Sequence, residues 1–118
     1  MIIDSHIHLH LDSATDDPDI GGKIIRDAMR CGIGACIASH VIAEPSCGGG
    51  AYPSSRHLRE ANSYAAEQAR RNPGRLYFLV YLNPQNPDWE QELERGVGNG
   101  AVGVKLWISL KNPHGGLE

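Results

Sequence analysis

The sequence predicts an α/β domain built on a parallel sheet with helical crossovers. Four apolar, β-branched segments alternate with three helical patterns, in strict order. The second of these segments, Ile33 to Ser39, is almost wholly apolar, as a strand covered on both faces must be. Glycine or a proline-glycine pair closes each helical stretch. Such alternation argues for parallel strands joined by helices. Crossovers repeated in one direction curl the sheet toward a barrel, whereas a reversal gives a doubly wound sheet, and alternation alone does not choose. No GxGxxG or GxxxxGK(S/T) follows the first strand, which counts against the nucleotide-binding sheets.

The first strand is expected over Ile2 to Leu9, with Ile3, Ser5 and Ile7 on one face and Asp4, His6 and His8 on the other. Asp16-Asp17-Pro18-Asp19 then offers acidic residues and a proline where a helix begins. Ile20, Ile24, Ile25, Ala28 and Met29 follow as one apolar stripe, and Gly32 suits a left-handed cap. After the second strand, residues 41–53 form the longest loop, glycine-rich at Gly48 to Gly50 and expected to be mobile. Ser54 or Ser55 caps the second helix, which turns Leu58, Ala61, Ala65, Ala66 and Ala69 inward until Asn72-Pro73-Gly74 ends it. The third strand is expected over Leu76 to Leu82. A third helix opens at Asp88 and Glu90, buries Leu93 and Val97, and breaks at Asn99-Gly100 before a fourth strand, Ala101 to Ile108.

With 118 residues, the chain is expected to be one domain over 1–118 that can bury a core. Its 41% hydrophobic and 21% charged content is that of an ordinary globular protein. A net charge of −3, with no Lys/Arg run, argues against nucleic acid or an anionic membrane as partner. No apolar run is long enough to span a bilayer, and with strand-like sequence beginning at Ile2 no secretory signal is expected. Cys31, Cys36 and Cys47 are odd in number and lack CxxC spacing, so a reducing cytoplasm is expected, with Cys31 and Cys36 as buried small hydrophobes.

The chemistry gathers at strand ends. His6 and His8 lie two apart on a strand, so both imidazoles leave the same face about 6.6 Å apart along the backbone. They stand at its C-terminal end, where barrel active sites are built. Two convergent neutral imidazoles suit zinc, iron or a related divalent ion, but a catalytic zinc takes three protein ligands and an open position. Asp4 is expected in the same polar layer. Lys105, near the end of the fourth strand, is the catalytic candidate. It is either a lysine of lowered pKa, open to carboxylation into a metal-bridging anion, or an ammonium that snorkels outward or pairs with a carboxylate or substrate anion. His10, just beyond the first strand, and His40 and Asn83, ending the second and third, are candidate substrate contacts. His57 reads as a solvent-facing helix residue, and His114 is assigned no role.

Three stretches carry a resemblance: Ile2-Ile3-Asp4-Ser5-His6-Ile7-His8-Leu9; Asn72-Pro73-Gly74-Arg75-Leu76-Tyr77 through Leu82-Asn83-Pro84; and Gly100-Ala101-Val102-Gly103-Val104-Lys105-Leu106. In this order and spacing the chain resembles the amidohydrolase superfamily, more narrowly the amidohydrolase-related (amidohydrolase 2) family. The resemblance implies a TIM-type (β/α)8 barrel, of which this chain is the first half, (β/α)4. It also implies a divalent metal, usually zinc, that serves hydrolysis or non-oxidative decarboxylation, with His6 and His8 as first-strand ligands. The family's other ligands and its general base come from strands five, six and eight, which lie beyond this chain.

Two functions follow as expectations. One is a hydrolase acting on a small amide, lactone or carboxylated substrate, its other half supplied by a partner or second copy. The other is a non-catalytic half-barrel fragment or module that dimerises, with or without a bound metal. Either way the free edges of strands one and four predict a homodimer that closes the barrel, bringing both His6/His8 pairs to one mouth.

Overall fold

The computed structural model describes residues 1–9, 17–41 and 53–106. Over these, the elements run β1 (Ile2–His8), α1 (Ile20–Arg30), β2 (Ile33–Ser39), α2 (Ser55–Arg71), β3 (Leu76–Tyr81), α3 (Trp89–Gly98) and β4 (Gly103–Lys105). The four strands form one sheet in the order β1-β2-β3-β4, and every neighbouring pair is parallel. Sequential order with helical crossovers is what a barrel half requires; a doubly wound sheet reverses its order. His10, the glycine-rich loop with Cys47, the C-terminal part of the expected fourth strand and His114 lie outside the described residues.

Local chemistry sets the boundaries. Gly32, Gly74 and Gly100 each stand at positive φ just before a strand, the left-handed turn that lets a helix end and a strand begin within a few residues. Ser54 is the N-cap of α2, and its hydroxyl accepts the His57 amide at 3.4 Å. His57 is half-buried in that first turn, its Nδ1 2.8 Å from the same hydroxyl, rather than facing solvent. β4 begins later than expected because the Ala101 amide bonds back to the Gly96 carbonyl at the end of α3.

The core lies between the sheet and α1 and α2. Cys36 and Ala38 of β2 and Leu76 and Phe78 of β3 meet Ile25, Ala28 and Ala65 there, with Leu9 closing the end of β1. Fully burying such side chains contributes roughly 1.5–3 kcal/mol apiece for the larger ones. Three expectations about burial fail. Met29 is half exposed, and Cys31, at the C-cap of α1, is exposed. In α3 the buried face carries Glu92 and Gly96 instead of Leu93 and Val97, and Val97 is 60% exposed. The helix is rotated by about one residue because Gly96 lets its backbone approach Val80 of β3 closely.

Candidate functional site

The strand ends build the site. Ile7 and Leu9 point to the helix side of the sheet and pack on its core, so the intervening His6 and His8 project from the opposite, inner face. Their ring centroids are 5.2 Å apart, with the planes tilted by 53°. Two imidazoles bound through nitrogen to one tetrahedral zinc, at Zn–N of about 2.0–2.1 Å, hold their ring centres about 5 Å apart. The spacing of the pair matches that of two ligands of one ion. Burial first, then the charges of Lys105 and His6, holds the His8 pKa below its ordinary 6.5, which favours the neutral ring that metals bind.

Lys105 joins them from the far end of the sheet. Its Nζ stands 3.4 Å from His6 Nε2. With the ammonium as donor, it occupies the Nε2 lone pair of His6, so a metal ion held through that nitrogen would displace Lys105 from it. Strands β1 and β4 are three spacings apart, about 14 Å in a flat sheet. The two side chains reach across that separation on the sheet's concave face.

Asp4 does not share that layer. Along β1 the register runs Asp4↔Cys36 and then Ile7↔Ala38, so β1 spends three residues where β2 spends two. This is a β-bulge, which strict alternation cannot anticipate. Asp4 therefore starts on the same side as Cys36, whose thiol pKa is raised by burial and, secondarily, by the Asp4 charge. The Asp4 carboxylate turns to accept the His6 amide at 3.0 Å.

His40 and Asn83 end their strands as expected but serve packing and turn formation. His40 is 2% exposed, its ring 4.6 Å from that of Tyr64 on α2. Asn83 is buried; its Oδ1 accepts the Gln85 amide at 3.0 Å and its Nδ2 donates to Asn86 Oδ1 at 2.9 Å, closing the turn into α3. As placed, neither presents a surface to a substrate. Among the described residues no group of three or more His, Cys, Asp or Glu side chains converges as a metal site.

Sequence reasoning missed a buried polar network beside this mouth. Asn62 of α2 donates through Nδ2 to the Tyr81 carbonyl and to Glu92 Oε1, both at 2.9 Å, and its Oδ1 accepts the Tyr81 amide at 2.8 Å. The pairing of β2 with β3 runs as far as Ala38↔Phe78, and Asn62 takes over as a strand substitute beyond it. Arg95 closes the network with a two-pronged bond to Glu92, at 2.7 and 2.8 Å, and bonds to Ser63 Oγ and the Arg59 carbonyl. Burial pushes the Glu92 carboxyl up, yet hydrogen bonds from Arg95 and Asn62 and the charges of Arg95 and Arg59 outweigh it, leaving the pKa below its ordinary value. The available signal was two polar residues, Asn62 and Gln68, on the inward stripe of an alanine-rich helix.

The described molecule is thus a parallel α/β sheet whose concave face gathers two imidazoles and an ammonium at its carboxyl end. Comparison of the chain with protein-family models, curated proteins and solved structures returned no match. Among the described residues, no helix is long and apolar enough to cross a membrane.

Proposed function

We propose that this chain is the first half of a metal-dependent hydrolase of the amidohydrolase type, the (β/α)4 portion of a TIM-type barrel. The observation that carries the reading is the convergence of His6, His8 and Lys105 on one face at the carboxyl ends of parallel strands. This is the end of a barrel where active sites are assembled. His6 and His8 would hold a divalent ion, zinc by the preference of paired neutral imidazoles. When bound, such an ion supplies a water of lowered pKa and polarises a carbonyl.

The chain's own side chains do the rest. His8, its pKa lowered by partial burial and then by the Lys105 charge, keeps a nitrogen lone pair available near pH 7. Lys105 acts as an ammonium that binds the anionic end of a small carboxylated amide or lactone and orients it toward the imidazole pair. The test is zinc-dependent turnover of such substrates by the assembled barrel. Lys105→Met is expected to raise KM for carboxylated substrates by about tenfold, the effect of losing one ionic contact near 1.4 kcal/mol, and to spare neutral ones. Turnover that survives replacement of both histidines would contradict the reading.

A second copy of the chain supplies the other four strands in this proposal. β1 and β4 are the outer strands of the sheet, and their flanks expose aliphatic surface: Ile2 at 61%, Ile3 at 50%, Val102 at 52% and Val104 at 45%. A two-fold axis pairs β4 of each copy with β1 of the other in parallel and leaves no edge. Light scattering at tens of micromolar is expected to give twice the 12.8 kDa chain mass. A clean monomer would rule this assembly out.

A further inference from the structure

The β-bulge in β1 decides which face the histidines occupy. Had the register continued evenly from Asp4↔Cys36, His6 would lie opposite Ala38, a residue of the helix-side core. His6 and His8 would then point into that core, and Ile7 and Leu9 would face the concave side, because a one-residue slip exchanges the two faces of a strand. The extra residue at Ser5–His6 prevents this, setting Ile7 opposite Ala38 and returning Leu9 to the core. A bulge disrupts the local ladder and needs something to fix it. Here the Asp4 carboxylate, two residues earlier, accepts the His6 amide at 3.0 Å. Short acceptors two residues upstream close such turns through an Asx-type bond.

We infer that Asp4 is a positioning residue: its carboxylate locks the bulge that turns His6 and His8 onto the concave face and sets their spacing. The functional half of this inference rests on the proposed metal site; the structural half does not. Asp4 touches neither imidazole ring in this role, so what matters is an acceptor oxygen at its position rather than a negative charge. Asn at position 4 keeps that acceptor, and Ala does not.

The experiment compares wild type, Asp4→Ala, Asp4→Asn and His8→Ala by calorimetric zinc titration and by amide proton NMR. Asp4→Ala is expected to weaken zinc binding about 10- to 100-fold, the usual loss when a group supporting a ligand is removed. Its His6 amide signal is expected to shift and to lose protection from exchange. Asp4→Asn is expected to stay within about threefold of wild type, with the His6 amide still protected, since the amide oxygen accepts the same bond. Zinc affinity and His6 amide protection both unchanged in Asp4→Ala would overturn the inference. So would Asp4→Asn losing both, and that variant decides the matter should Asp4→Ala fail to fold. If wild type itself binds no zinc, or His8→Ala binds as tightly, the metal reading fails; the bulge lock then stands or falls on the His6 amide alone.

Discussion

Replacing Asn62 by alanine is expected to destabilise the domain by about 3 kcal/mol, because it leaves buried polar groups without the partners it provides. Tyr81 is fully buried, and both its amide and its carbonyl are held by the Asn62 side chain. A buried donor or acceptor left unsatisfied costs about 1–3 kcal/mol, and here the change affects one of each and also a hydrogen bond to Glu92. The effect reaches the site through β3, since Tyr81 pairs with Lys105 of β4 and the Leu82 amide bonds to the Lys105 carbonyl. Urea unfolding of the variant should show this loss in its midpoint without a change in slope. A loss below about 1 kcal/mol would mean that water replaces Asn62 at little cost.

Two glycines of α3 are expected to respond to alanine with opposite signs. A Cβ on Gly96 would lie 2.7 Å from Cγ2 and 2.8 Å from Cβ of Val80, closer than atoms of a stiff, fully buried β-branched residue can tolerate. Overpacking of this kind costs about 1–3 kcal/mol and more, against a gain of about 1 kcal/mol from better helix propensity, so Gly96→Ala should lose about 2 kcal/mol. Gly98, two residues on, has nothing within 4 Å of its Cβ position, and Gly98→Ala should gain about 0.5–1 kcal/mol. Thermal unfolding of the two variants checks the pair. Stabilisation by Gly96→Ala would show that α3 does not rest on β3 as described.

Hydrophobic periodicity carries part of this fold and is blind to the rest. The bounds of β2 and the approximate spans of all seven elements were legible because apolar spacing and glycine or proline punctuation agree along the chain. The meeting of Lys105 with His6, ninety-nine residues apart, was legible only as far as both stood at the same end of parallel strands. The face of Asp4 was not, since a bulge consists of one extra residue and changes no composition. Nor was the rotation of α3. A hydrophobicity pattern registers Leu93 and Val97 but not the gap that Gly96 offers to Val80, nor the carboxylate that Arg95 and Asn62 make fit to bury. His40 shows the same limit, because its position at a strand end was readable and its packing against Tyr64 was not.

For the proposed metal-binding pair of His6 and His8, the decisive measurement is a calorimetric zinc titration of metal-free protein. Saturable binding is expected, with one zinc per dimer if the two pairs meet at a shared mouth and two if they remain apart, abolished in either case by His8→Ala. Heat that does not saturate, or the same isotherm from the His8→Ala protein, would contradict it.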